Sequence, residues 1–457
     1  MNARAAQSIR RVPVALVWLA VIATGLGLLS LYLSRDGSDT LASPELKAGV
    51  FYSATLLAVW LSLRFAHFDG DPLLLPVTGM IGGIGLILAV RLEPDLASVR
   101  GLTVAIGDRQ LWYLCAGLMV LWVVALFAPN PEILARYRYS VLFAGLGLLG
   151  LTALLGNEVN GARLWLEAGP IQVQTAEIVK LALVVFLAAY LSDNLELVGS
   201  SWRVGRFNVP PLPYLAPMGV MWGLCVAALL VLNDLGTALL FFSLFLVMLY
   251  AANGSLSQLL LGTMLFLIAF GLAYLTVPRV EVRVDNWRDP WSDPFVAGYQ
   301  QIQAEYALSS GGVLGSGLGE GSPWLIPEVQ TDYVIAAIGE ELGFVGLVVV
   351  MGLFMVLAAR GVLIARSAPS GYLKLLSLGL TAGLVVQSII ILAGVLRLMP
   401  LTGVTLPLVS YGGSSIMVTC ATVGVLMRVS AIRSIAGRSG VVRHPGQAAD
   451  SSGGGKR

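Results

Sequence analysis

The feature that most constrains this chain is a run of about 20 apolar residues, bounded by charge, proline or glycine, that recurs about twelve times. A helix of that length crosses the hydrocarbon core of a bilayer, where only structures that satisfy their own backbone can stand. The runs fall near 13–33, 47–66, 73–92, 110–128, 138–156, 174–192, 213–232, 235–252, 256–277, 333–359, 372–396 and 414–433. Charged residues make up 12% of the 457, against about 25% in soluble domains. Hydrophobic residues make up 57%, more than a soluble core could bury. The chain therefore reads as an all-α polytopic membrane protein. The runs flanking Asn233 and Asp234 are joined by too tight a turn for two full, independent helices, so short or partly re-entrant spans are expected there.

Basic residues precede the first run and a second span follows soon after, which fits a retained helix better than a cleaved signal. With the N-terminus in the cytoplasm, most of the 28 Lys and Arg fall inside and most of the 26 acids outside, the bias that sets membrane orientation. Both termini are then cytoplasmic, and the long polar interval 278–332 faces outward. From 436 to 457 the chain is rich in Gly, Ser and Arg, which predicts a disordered tail. Arg433, Arg438 and Arg443 suit the anionic inner leaflet. No solenoid or inverted repeat is visible, which weighs against a transporter. Cys115, Cys225 and Cys420 lie scattered in apolar runs and read as packing residues; His67 and His444 have no second ligand nearby, which argues against a His-based metal site.

Chemistry is expected in the polar interval. Asp289 and Asp293 stand four apart, each before a proline, which favours an extended backbone and a rigid presentation of both carboxylates. Trp287, Trp291, Phe295 and Tyr299 interleave with them, suited to sugar stacking or to the lipid interface; a solvated acidic loop is the plainer alternative. Glu177 and Lys180 share a helix face inside a span, either as a structural ion pair or with Lys180 holding an anionic head group. Asn160 to Trp165, followed by Gly169 and Pro170, predicts an irregular outer segment with Trp165 as anchor and Arg163 placed to meet phosphate. Asp234 reads as a helix cap or salt-bridge partner rather than a catalytic group. The Gly-dense stretch 309–319 lacks the Lys of a P-loop. Pro400 to Ser415 predicts another irregular outer segment, opening a helix whose N-terminus, with Ser414 and Ser415, favours anions.

Five ordered blocks together resemble the SEDS family of bacterial cell-wall proteins, the group of RodA, FtsW and SpoVE. They are Asn160 to Lys180, Asp234 to Thr237, Asp289 to Gln300, Pro327 to Gly343 with Ile338-Gly-Glu-Glu-Leu-Gly343, and Pro400 to Ser415. They cover roughly residues 75–435. The resemblance implies a ten-span core within 71–435 and makes the two spans of residues 1–70 additions. It implies a glycosyltransferase that polymerises lipid II on the outer face of the cytoplasmic membrane, for elongation and shape or for division, with a class B penicillin-binding protein and membrane lipids as partners and no nucleic acid. The family's proposed catalytic aspartate falls on Asp293, its motif Glu and Lys on Glu177 and Lys180, and its turn aspartate on Asp234. The chain has Gln174-Thr175-Ala176-Glu177 for Gln-Pro-Ser-Glu, Leu232-Asn233-Asp234 for Gln-Pro-Asp, and Val329-Gln330-Thr331-Asp332 for Ala-His-Thr-Asp; each acid survives. The extra spans and the Arg283-Val-Asp-Asn-Trp287 wording resemble actinobacterial RodA-type members.

With that resemblance, Asp293 is expected to act as base on the acceptor hydroxyl, its pKa raised by aromatic and interfacial surroundings. Lys180, Arg163 and Arg397 are expected to neutralise the departing pyrophosphate. Asp289, Trp165, Trp291, Tyr299, Gln300, Glu177, Ser414 and Ser415 are cast as substrate-binding support, and Asp234, Glu340 and Glu341 as structural acids. A divalent cation, Mg or Mn, is a candidate to share the charge, although no dedicated cage is visible. Two other readings compete: a lipid II flippase using Glu177, Lys180, Glu340 and Glu341 as a polar path, and a non-catalytic scaffold for a penicillin-binding protein.

Overall fold

A computed structural model describes residues 3–34, 43–100, 105–159, 162–168, 171–194, 202–204, 207–209 and 212–441. Asn160, Gly161, Gly169, Pro170 and the tail beyond 441 lie outside the described residues, as do the side chains of Arg433 and Arg438. Helices α1 (Ala3–Ser34), α2 (Pro44–Phe65), α3 (Leu74–Arg100) and α4 (Ile106–Phe127) lead into the short α5 (Glu132–Arg136) and then α6 (Arg138–Leu155). Strands β1 (Asn157–Val159), β2 (Ala162–Ala168) and β3 (Ile171–Gln174) precede α7 (Thr175–Asp193). A hairpin of β4 (Trp202–Val204) and β5 (Phe207–Val209) leads to α8 (Leu212–Val231), α9 (Leu235–Asn253) and α10 (Leu256–Thr276). The polar interval holds α11 (Pro278–Arg288) and α12 (Tyr299–Gly311), and α13 (Val334–Arg366), α14 (Gly371–Val395) and α15 (Gly413–Val441) complete the chain.

Eleven of these helices are long and apolar enough to cross a membrane, and Ala216–Val231 within α8 is a shorter apolar helix. The pair expected to be short or re-entrant is instead two helices of 20 and 19 residues joined by a tight turn. Asn233 takes the left-handed conformation in the turn (φ 62°), and the Asp234 carboxylate accepts the Thr237 amide at 3.0 Å to cap α9. Of the 21 residues of α10 only Gln258 is buried. A helix apolar on every side and packed on almost none of them is stable only in lipid.

The core forms around α7, buried over nearly its whole length between α6 and α14, with α15 packed on α4 and α13 on α14. Helices α1 and α2 pack on each other and on α3 and α4. Their fit relies on a small-residue face of α3: the Tyr52 hydroxyl donates to Gly79 O at 2.6 Å, and a Cβ on Gly83 would lie 2.1 Å from Thr24 Oγ1. At the far end of the bundle the Arg360 guanidinium donates to Asp71 (Nε to Oδ2, 2.9 Å), whose amide donates to Ser430 Oγ at 2.8 Å, joining the start of α3 to α13 and α15.

The segment read from sequence as irregular around Arg163 is instead a three-stranded antiparallel sheet, with Trp165 opposite Gln174 and Ala168 opposite Ile171. Strand β3 alternates apolar and polar residues at period two, Ile171-Gln172-Val173-Gln174, a signal masked by the Gly and Pro just ahead of it.

The Gly-dense stretch serves α13. The Gly317 amide donates to Glu341 O at 3.1 Å and the Phe344 amide to Gly312 O at 3.0 Å, around Gly343, whose φ of 65° and ψ of −167° kink the helix. A Cβ there would lie 2.3 Å from Gly315 N. Gly343→Ala is expected to destabilise the protein by about 1–3 kcal/mol, read as a lowered Tm in detergent, whereas Gly352→Ala, with no atom within 4 Å of its Cβ, leaves Tm unchanged or slightly raised.

Candidate active site

The polar interval folds as a strap across the end of the bundle that carries the β1–β3 sheet. Pro278 opens α11, which stops at Arg288 because Asp289 precedes a proline and is extended (φ −144°, ψ 85°). A single 3-10 turn, Pro290–Ser292, follows, and Asp293, before Pro294, is extended again (φ −138°, ψ 74°). Asp289 Oδ1 accepts the Trp291 amide at 3.1 Å, so this acid caps the turn. Asp293 is exposed; its Oδ2 accepts the Ala297 amide at 3.2 Å and its carbonyl the Gly298 amide at 2.8 Å. Trp291 stands half exposed with its ring edge-on to Tyr306, and Tyr299 begins α12.

Arg397, a candidate for pyrophosphate, holds this strap: Nε donates to Trp287 O at 2.8 Å and Nη2 to Arg288 O at 2.7 Å, and Nη1 pairs with Glu305 at 3.3 Å. Trp287 Nε1 returns a bond to Arg397 O at 3.0 Å. Gln300 Nε2 donates to Pro327 O at 2.8 Å.

Beneath the strap lies a cavity of about 200 Å³ lined by Arg283, Asn286, Trp287, Ala297, Gln300, Gln301, Asp332, Tyr333, Met399, Leu401 and Gly403. Burial and the nearby Glu328 push the Asp332 carboxyl up to about 6, against the pull of Thr331 and Arg283. Arg283 is drawn below its usual value by burial, opposed by Asp332 and by Asp234. The Asp234 carboxyl is raised by burial, with the Thr237 amide and Arg283 acting the other way. Arg283 thus lies between the carboxyls of the cavity and of the α9 cap, and its Nη1 donates to Thr402 O at 3.4 Å.

On the other side of segment 400–412 lies the buried network inside the bundle. Lys180 Nζ donates to Glu177 Oε2 at 2.5 Å and to Gln387 Oε1 at 2.7 Å. Gln387 Nε2 donates to Thr405 O at 2.9 Å, so the network on α7 and α14 is tied to the loop above it. Ser414 Oγ accepts the Gln174 amide at 3.0 Å and Ser415 Oγ accepts the Thr405 hydroxyl at 3.0 Å, fixing β3 and segment 400–412 to the start of α15. Arg163 on β2 is half exposed, 3.6 Å from Glu158, with Trp165 partly buried on the same strand. Glu340 and Glu341 lie apart from this group: Glu340 Oε1 accepts the Ser322 amide at 2.7 Å, and Glu341 meets Arg91 Nε at 2.8 Å. Arg91 also pairs with Asp95 and donates to Gly319 O and Gly321 O, so these acids anchor the Gly-rich loop.

The structure therefore puts Gln300 in the lining of one cavity and Asp293 next to it through the amide of the lining residue Ala297, keeps Glu177 and Lys180 below it, and gives Arg397, Ser414 and Ser415 anchoring bonds. Arg283, Asn286, Gln301 and Gln387 escaped the sequence reading. Gln387 could have been found as a polar side chain within an apolar span.

Removing one member of a buried pair leaves the other charge unpaired, at a cost of about 3–5 kcal/mol. Lys180→Met is expected to lower Tm sharply, and the Glu177→Gln/Lys180→Met double variant to recover most of the loss, as a thermal-unfolding cycle would measure. Asp332 gives a second expectation. A carboxyl whose folded pKa is raised favours the folded state most below its unfolded value near 3.8 and loses that contribution as pH rises through about 6. Asp332→Asn should therefore raise Tm relative to the parent at pH 8, with the difference shrinking toward pH 5.

A family model described as "Cell cycle protein", covering FtsW, RodA and SpoVE, matches residues 72–435. The chain is 36% identical over 371 residues to the peptidoglycan glycosyltransferase RodA of Mycobacterium tuberculosis, covering 80% of this chain and 79% of that one. It is 32% identical to the stage V sporulation protein E of Bacillus subtilis, covering 79% of this chain and 96% of that one. Among solved structures, a chain from work on the structural coordination of polymerization and crosslinking by a peptidoglycan synthase complex superposes with a TM-score of 0.65 at 29% identity, covering 80% of this chain and 98% of that one. The rod shape determining protein RodA of Thermus thermophilus does so with a TM-score of 0.57 at 28% identity, covering 80% and 97%. The match to 72–435 begins just ahead of α3 and runs through α15, and on this extent the chain belongs to the FtsW, RodA and SpoVE family.

Proposed function

We propose that the protein is a peptidoglycan glycosyltransferase that polymerises lipid II into glycan strands at the outer face of the cytoplasmic membrane. The observation that carries this is Asp293: an exposed carboxylate, held by Pro294 and the Ala297 and Gly298 amides next to a polar cavity, in a chain whose relatives include proteins named peptidoglycan glycosyltransferase. The excess of Lys and Arg on the N-terminal side of the bundle supports an outward-facing strap with both termini cytoplasmic.

In this reading Asp293 takes the proton of the acceptor 4-hydroxyl as it attacks the donor sugar, and the bond to undecaprenyl pyrophosphate breaks. Among the three candidate cations, Arg163 has the most exposed guanidinium, so it meets the pyrophosphate, while Lys180 acts from below through Glu177 and Gln387. Among the described residues no three His, Cys, Asp or Glu side chains are gathered for a metal. A Mg or Mn ion would therefore be held chiefly by the substrate's phosphates, as that cation commonly is. A class B penicillin-binding protein is the partner that the synthase-complex likeness supports. Separate partners for Glu177 with Lys180 and for Glu341 with Arg91 weigh against a continuous flippase path.

Purified protein given labelled lipid II is expected to yield polymer, and Asp293→Asn to yield none while keeping the parent Tm. Leaflet exchange without polymer would instead indicate a flippase, and neither activity a scaffold.

A further inference from the structure

The cavity beneath the strap has a chemistry the preceding reading does not use. Trp287 supplies an apolar wall and is fixed by its bond to Arg397 O. Three amide side chains line it, each with a backbone acceptor: Asn286 Nδ2 donates to Ala297 O at 3.0 Å, Gln300 Nε2 to Pro327 O at 2.8 Å, and Gln301 Nε2 to Val395 O at 3.4 Å. Those bonds orient the amides. The Gln301 carbonyl oxygen accepts the Tyr333 hydroxyl at 3.0 Å, so Gln301 is held from both ends. Asp332 and Arg283 complete the wall with opposite charges, and Gly403, in the left-handed conformation (φ 75°), would place a Cβ 3.5 Å from Asp332 Oδ2.

An aromatic face, fixed amides and a charged pair form a donor and acceptor set for a hydroxylated ring carrying an acetamido group. The size agrees. A volume of about 200 Å³ is below the ~300 Å³ of sites for drug-sized ligands, which admits one ring and excludes a whole lipid-linked disaccharide. The position agrees as well: Ala297, which lines the cavity, gives its amide to Asp293 Oδ2 at 3.2 Å, so the cavity and that carboxylate are neighbours.

We propose that this cavity is a subsite for one N-acetylhexosamine ring of the substrate, in which Asp332 accepts a hydrogen bond from a ring hydroxyl and Asn286 and Gln300 meet the polar edge. This rests on the glycosyltransferase reading above. It adds a place for the ring and a second carboxylate, distinct from Asp293, that binds rather than reacts.

The test uses the full chain in detergent with two variants. Ala297→Phe fills the cavity from an exposed position, and Asp332→Asn removes the acceptor charge from a protein expected to be more stable at neutral pH. With labelled lipid II, both should raise KM about tenfold, the loss of about one hydrogen bond or its equivalent in contact, with kcat within about threefold of the parent. If the parent polymerises and both variants keep its KM, the subsite is wrong and the glycosyltransferase reading stands. If the parent makes no polymer, that reading fails, and saturation transfer from free N-acetylglucosamine decides the subsite. Transfer lost in Ala297→Phe supports it, and absence of transfer in the parent, or equal transfer in both, overturns it.

Discussion

A charge buried in a bilayer must bring its partner with it, and much of this structure follows from meeting that condition once. Lys180 sits among residues of α7 that are buried on nearly every side, and it is tolerable there because Glu177 lies one turn away and Gln387 reaches from α14. Gln387 in turn holds Thr405, which holds Ser415. A solvation requirement inside the membrane thereby fixes the segment above it, and that segment borders the cavity under the strap.

The strap itself depends on prolines and on one arginine rather than on a core. Pro290 and Pro294 keep Asp289 and Asp293 out of helix, and Arg397 bonds the backbone at Trp287 and Arg288. Rigidity here comes from polar contacts at the surface, so the exposed carboxylate is preorganised without being buried. A second acid, Asp332, lies deeper beside Arg283, and burial pushes its carboxyl up to about 6.

The membrane spans were legible because apolar runs near 20 residues have few other uses. The extended backbone at Asp289 and Asp293 was legible for a similarly local reason, the proline that follows each. What sequence could not supply was pairing between distant segments. Arg397 looked available for an anion, yet its donors meet carbonyls more than 100 positions away. The sheet around Arg163 was hidden because strand pairing is a property of three segments together, whereas Gly and Pro read locally as irregularity. Asp332 stood out only as a retained acid, because its burial is made by α11, α12 and the 399–403 segment at once.

The two leading helices carry a consequence for how the chain is assembled. The Tyr52 hydroxyl is fully buried and its acceptor is Gly79 O on α3, while Thr24 fits the groove at Gly83. During synthesis α1 and α2 emerge first, with a phenol that has no acceptor in hydrocarbon until the third helix joins them. The smallest unit that can settle in the bilayer with that group satisfied is thus a trio, and the added pair and the family core are made mutually dependent from the first helix of that core onward.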